Sequence, residues 1–132
     1  MKHNTMLTIA SLLTIIGLIF HMTDDILREG GLAAHGTNNL TVVFVLVLFL
    51  YGALVLAERK SGYIIMFIGG LAGLGMPILH MYLAHNVIAN DLGRARGDYL
   101  FVWTLLALGV TGLFSLILSV RCLLNPQWGQ SR

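Results

Sequence analysis

The residue types best suited to chemistry lie close together near the end of the first apolar stretch. His21, Asp24, Asp25 and Arg28 stand at positions i, i+3, i+4 and i+7. At about 100° per residue, their side chains share one face of a helix that continues past residue 21. An imidazole beside carboxylates is a ligand set for zinc, copper, manganese or ferrous iron, without selecting among them. Histidine also changes its charge between about pH 5 and 8, so the same face could bind a proton.

The same residues also have a simpler interpretation, in which the first helix leaves the membrane near Met22. Asp24 and Asp25 would then be hydrated, and Arg28 would pair with one of them a turn away. His21 would lie at the level of the lipid headgroups. Sequence places a residue in depth only to about one helical turn, so both interpretations stay open at this stage.

A second histidine lies on a face of the third apolar stretch that is lined with small residues. Gly69 and Gly73 are four residues apart, a spacing that lets two helices approach closely, and His80 follows seven residues later. If this helix runs outward, His80 reaches the depth of His21. We therefore predict a ligand site formed by His21, Asp24, Asp25, Arg28 and His80, with His21, Asp25 and His80 as the candidate metal ligands and Gly69 and Gly73 as packing positions. Whether the two histidines meet depends on helix packing.

These side chains are carried by four long uncharged stretches, at residues 4–23, 36–57, 61–90 and 99–120. A membrane-spanning helix needs about 20 mainly apolar residues. The chain of 132 residues is 57% hydrophobic and 11% charged, with a mean hydropathy of +0.83. We predict an all-α integral membrane protein of one domain, residues 1–132. Its fold would be an antiparallel bundle of four transmembrane helices at about 5–28, 38–58, 62–86 and 98–121.

The distribution of cations predicts the orientation in the membrane. One side of the predicted topology carries Lys2, Arg59, Lys60, Arg121 and Arg132, and the other carries Arg28, Arg94 and Arg96. Because cytoplasmic loops are enriched in Lys and Arg, both termini are predicted to be cytoplasmic, in a bacterial-type plasma or inner membrane. The histidine site then lies near the extracytoplasmic face.

Composition excludes several classes of function. The net charge is only +2 and the basic residues are scattered, so nucleic acid is not an expected partner. Cys122 is the single cysteine, which excludes an internal disulfide and a CxxC redox pair. No small-x-small cleavage site follows Phe20, so the first stretch is expected to be a retained helix. No complete catalytic signature is present, which favours a protein that is not an enzyme.

We therefore expect a small polytopic membrane protein that binds or transports a small ligand, a proton or a metal ion at the His/Asp/Arg site. The first alternative is an accessory or scaffolding subunit without chemistry of its own. Four short helices bury little surface among themselves, so a homo-oligomer or a membrane partner subunit is expected in addition to the lipid bilayer. A b-type haem electron carrier ligated by His21 and His80 is a second alternative, and a metal-dependent membrane hydrolase is a third. The sequence leaves three alternatives for the cofactor: none, a divalent metal ion or haem.

Overall fold

The regular secondary structure of the described part of the chain is entirely α-helical. The structure is a computed structural model that describes residues 3–29, 39–83 and 99–125. Within these ranges it contains four α-helices and no strand: α1 (His3–Glu29), α2 (Asn39–Leu54), α3 (Lys60–Leu83) and α4 (Tyr99–Leu124). For the described residues, the prediction of an all-α protein is confirmed.

Three of the described helices are long and apolar enough to cross a membrane. The spanning segments are Asn4–Asp24 in α1, Lys60–His80 in α3 and Phe101–Leu124 in α4. Each contains the roughly 20 mainly apolar residues that a bilayer core requires. The shorter apolar helix Leu40–Leu54 makes up nearly all of α2. Length and composition thus support the prediction of a membrane protein with transmembrane helices.

A tight turn at residues 55–59 connects α2 to α3. The N–H groups of Val55 and Leu56 both donate to the carbonyl oxygen of Tyr51, and Arg59 N–H donates to Leu56 O at 2.9 Å. Gly62 fits here because a Cβ at this position would collide with the carbonyl oxygen of Leu56. The second helix was expected to continue to residue 58, but it ends at Leu54 because the backbone turns at this point.

The closest approach between helices is that of α3 and α4. A Cβ added to Gly112 would stand 2.7 Å from Leu74 N and 2.9 Å from Gly70 O. Real Cβ atoms almost never come this close to backbone, so only glycine at position 112 allows the two backbones to touch. α1 packs against α4 as well, and α2 packs against α3 and α1. The buried core is formed mainly by α1, α3 and α4, with Phe49 and Ala53 of α2 packed against it.

Candidate functional site

His21 and His80 meet in the structure, where α1, α3 and α4 converge. Their ring centroids are 4.8 Å apart and the ring planes are inclined by 78°. Phe101 of α4 contacts both rings, with centroid distances of 5.2 Å to His21 and 5.5 Å to His80. The packing of the helices thus brings the two histidines into contact, which sequence spacing alone could not establish.

The described residues that pack around the pair on α3 and α4 are mainly apolar. His21 is 0% exposed, which is unusual for a histidine, while His80 is half-buried. Phe101, Val102 and Leu105 form a buried cluster on α4, and Met76 of α3 packs against it. Charge is costly in such an environment unless it is stabilised locally.

The backbone of α3 fixes the orientation of the His80 ring. Nδ1 of His80 lies 3.0 Å from the carbonyl oxygen of Met76, one turn earlier. A carbonyl oxygen can only accept, so Nδ1 is the donor and carries the hydrogen in this contact. In the neutral ring, Nε2 then holds the lone pair. Nε2 of His80 is therefore the atom that can take up a proton or ligate a metal ion.

The acidic part of the predicted site is described only at Asp24. Asp24 is partly exposed and lies one turn after His21 on α1. Asp25 and Arg28 belong to the last turns of α1, but their side chains lie outside the described residues. Within the described ranges, no group of three or more His, Cys, Asp or Glu residues could hold a metal ion. Of the three predicted metal ligands, the structure thus describes the side chains of His21 and His80.

The separation of the rings distinguishes between ligands. With metal–nitrogen bonds near 2 Å, two imidazoles on one ion have centroids about 4.5 Å apart at a right angle and about 5.2 Å apart at a tetrahedral angle. Trans ligation of a haem iron requires about 6.4 Å, because the two rings lie on opposite sides of the porphyrin. The observed 4.8 Å falls in the first interval. The ring separation is compatible with two imidazoles near one small cation and is shorter than ligation across a haem would require.

Gly69 and Gly73 contact different helices. A Cβ on Gly69 would lie 3.5 Å from the ring of Phe49 on α2, which is ordinary van der Waals contact. A Cβ on Gly73 would lie 2.7 Å from Thr14 Cγ2 on α1 and 3.3 Å from Leu108 Cδ1 on α4. Only Gly73 therefore lies in the interface that carries the histidine pair.

Below the histidines, polar contacts continue along α1. Ser11 Oγ and Ser115 Oγ are 2.8 Å apart, and Tyr63 donates to Asn4 Oδ1 at 3.1 Å. Ser115 also donates to the carbonyl oxygen of Met66 at 3.4 Å. The buried polar residues of the described chain are Asn4, Ser11, Thr14, His21, Ser115 and Ser119. Those other than His21 form a column from the Asn4 end of α1 to Thr14, seven residues from His21.

A spacing of seven residues underlies this arrangement. On α4 it relates Phe101, Leu108 and Ser115, and on α3 it relates His80, Gly73 and Met66. Residues seven apart lie on nearly the same helix face, about 10 Å apart along the axis. The residue patterns of the sequence did not single out Phe101 or the buried serines. Seven-residue steps from the two histidines lead to Thr14 and Gly73, but neither histidine lies on α4, so no sequence signal from them could have identified Phe101 or Ser115.

Comparison of the chain with protein-family models, with curated proteins and with solved structures found no match. The functional inference therefore rests on the geometry of the site.

Proposed function

We propose that this is a membrane protein whose His21–His80 pair binds a proton and passes it on. The observation that carries the proposal is the contact of two imidazole rings, one of them completely buried, beneath an aromatic ring from a third helix. The open lone pair on Nε2 of His80 identifies the accepting atom on that ring. Intramembrane histidines that face a bundle interior are characteristic of proton relays.

Electrostatics limits the pair to a single proton. Two unit charges 4.8 Å apart repel by about 3.5 kcal/mol at an effective dielectric constant of about 20. The second proton is therefore strongly disfavoured once the first is bound. The groups that flank the pair in the described residues are Phe101 from α4, Met76 from α3 and Asp24 on α1. On α2, the titratable side chain in the described range is Tyr51, which is exposed.

A proton suits this site better than a divalent metal ion. The two histidine ligands are neutral, and the side chain of Asp25, the third predicted metal ligand, lies outside the described residues. A divalent ion on two neutral imidazoles would bring its full charge into apolar surroundings, at a large cost in solvation. A proton brings one charge, which both imidazole rings can help to stabilise.

We further propose that α2 is a fourth span and that the four helices alternate in direction, with both termini cytoplasmic. The register of contacts supports this: His21–His80, Thr14–Gly73 and Asn4–Tyr63 are each separated by 59 residues, as expected for parallel α1 and α3. The excess of Lys and Arg on one side supports the orientation. The histidine pair would then lie near the extracytoplasmic face.

The apolar surface of α2 implies a partner of matching polarity. Phe44 is 70% exposed, and Val43, Val47 and Leu54 are exposed with it. Such a surface is stable against lipid acyl chains, which are as apolar as these side chains. The bilayer is therefore the partner we propose for α2, and assembly of the chain into a homo-oligomer stays a prediction.

Proton counting tests the proposed function. In a background where His3, His35 and His85 are replaced by Gln, the protons bound between about pH 8 and 5 are measured by potentiometric titration. The chain with both histidines, His21→Gln, His80→Gln and the double variant are compared. We expect the chain with both histidines to bind one more proton than the double variant, because charge repulsion prevents the binding of a second proton.

Two different counts would contradict the proposal. A difference of two protons would show independent, hydrated histidines at a helix end. A difference of zero would show a dry packing contact and would favour an accessory subunit. A stoichiometric metal ion in the purified protein, lost in His21→Gln, would instead establish the metal site.

A further inference from the structure

We infer that Leu108 is a hydrophobic gate in a proton path that joins the histidine pair to the opposite end of α1. The inference rests on the proposed function, since the histidine pair is one terminus of the path. The other terminus is the hydrogen bond between Tyr63 and Asn4. Between them lies the column of buried hydroxyl groups on α1 and α4.

The lower half of the path is polar. Ser11 and Ser115 share a hydrogen bond of 2.8 Å across α1 and α4. A cavity of about 10 Å³ lies beside them, lined in part by Ser11, Thr14 and Ser115, with room for about one water molecule. The rest of its lining is apolar, and the hydroxyl hydrogen of Thr14 is donated to the carbonyl oxygen of Ala10, so a water there would depend on the oxygen atoms of Ser11 and Ser115.

Ser119 extends the polar groups one turn further along α4. Its side chain is 0% exposed, and its Oγ has no hydrogen-bond partner among the described residues. A buried hydroxyl without a partner costs about 1–3 kcal/mol, so a water molecule at this position would be stabilised. Ser119 thus continues the column from Ser115 towards the end where Asn4 and Tyr63 meet.

Leu108 interrupts the column directly below the histidines. Its Cδ1 lies 3.3 Å from the place where a Cβ would stand on Gly17 of α1, and equally 3.3 Å from that on Gly73 of α3. The Leu108 side chain is fully buried and fills the space that these two glycines leave open. It therefore forms part of the apolar barrier, with Leu105 of α4, between the histidine pair and the hydroxyl groups.

The size of the interruption explains why it would act as a gate. Thr14 and His21 are seven residues apart, or about 10 Å along the helix axis. A proton cannot cross that distance without intervening water molecules. Apolar constrictions of this kind block conduction by excluding water, and conduct when water enters.

Proton movement along the path needs no net chemical change in it. Each hydroxyl or water accepts a proton on one side and releases its own proton on the other, so the bonds broken and formed balance. His80 Nε2 accepts the proton at one end and returns to the neutral form when it passes the proton on. The electrochemical gradient across the membrane supplies the driving force.

The experiment is proton flux into liposomes that contain the full chain. An imposed pH gradient, with potassium and valinomycin to set the membrane potential, drives protons towards an internal pH-sensitive dye. We expect slow flux in the unaltered chain and an increase of about tenfold in Leu108→Ala and Leu108→Thr, because water can enter the constriction. The matched control is Leu106→Ala on the same helix, whose side chain is 45% exposed and away from the column.

Two further variants connect the flux to the path. In the Leu108→Ala background, Ser115→Ala and His21→Gln should each return the flux to the level of the unaltered chain. Circular dichroism establishes that every variant is folded, and Leu108→Thr retains more side-chain volume should Leu108→Ala fail to fold. Equal flux in Leu106→Ala and both folded Leu108 variants would overturn the gate, as would fast flux that persists without Ser115 or His21.

Proton counting separates this inference from the proposed function. If the pair binds one proton but the Leu108 variants conduct no faster, the gate is wrong and the binding site stands. If the pair binds no proton, both proposals fail.

Discussion

Phe101 is the residue of α4 that covers the histidine pair. Its ring contacts both imidazoles, and it belongs to a buried cluster with Val102 and Leu105. In the proposed function, the repulsion between two bound protons is strong because the local dielectric constant is low. Removing the ring should therefore change how many protons the pair can hold.

We expect Phe101→Ala to raise the number of protons bound by the pair from one towards two. Water that enters the vacated space screens the two positive charges from each other. Potentiometric titration in the background without His3, His35 and His85 measures the change. Trp103→Ala, which removes a 68% exposed ring from the same helix, is the control and should leave the count at one. A count unchanged in folded Phe101→Ala would contradict this role.

The hydrogen bond between Ser11 and Ser115 makes a separate prediction at the residue scale. Side-chain hydrogen bonds between membrane helices contribute about 0.6 kcal/mol on average. Ser11→Ala and Ser115→Ala should each lower the free energy of unfolding, and the double variant should lower it by less than their sum. Unfolding in mixed detergent micelles measures the cycle, with the exposed Ser61→Ala as the control. Strict additivity would show that the two hydroxyl groups are not coupled.

At the scale of the helices, α3 and α4 are held together by backbone contact. Gly70, Gly73 and Gly112 leave no room for a side chain, whereas a Cβ on Gly75 would meet no atom within 4 Å. The sequence indicated a glycine-lined face on the third helix. It did not show that Gly69 faces α2 while Gly73 faces α1 and α4. This difference depends on how each helix is rotated, and the packing of all the helices together determines that rotation.

Alanine substitution should distinguish these glycines sharply. We expect Gly112→Ala to destabilise the fold by about 1–3 kcal/mol, because the new methyl group forces two backbones apart. Gly75→Ala should be neutral or slightly stabilising, since alanine favours a helix and the position is open. Thermal unfolding in detergent compares the two variants. Equal melting temperatures would contradict the close contact between α3 and α4.

At the scale of the whole molecule, hydropathy was sufficient to predict a helical membrane protein. Uncharged stretches of about 20 residues are typical of transmembrane helices, and three of the described helices have that character. The site was less predictable. His21 and His80 were recognised from their types and depth, but their contact depends on how α1 and α3 pack. The sequence did not identify Ser11 and Ser115, because isolated serines are common in membrane helices. Only the packing shows that these two residues are in contact.

The proposed orientation is testable by cysteine labelling. In a Cys122→Ala background, Glu58→Cys should react with an impermeant maleimide only from the cytoplasmic side. Tyr99→Cys should react only from the opposite side. The reason is that both residues are exposed and adjoin opposite ends of the spans. Labelling of both cysteines from one side would contradict the alternating arrangement of the helices.

The most direct test of the account is ¹⁵N nuclear magnetic resonance of the ring nitrogens of His21 and His80 in lipid nanodiscs. The spectra are recorded between about pH 8 and 5, with His3, His35 and His85 replaced by Gln. We predict that the signals of both rings change together and that the two rings gain one proton in total. Two independent transitions that each reach a fully protonated ring, or no change in either ring, would contradict the claim that the pair binds a single proton.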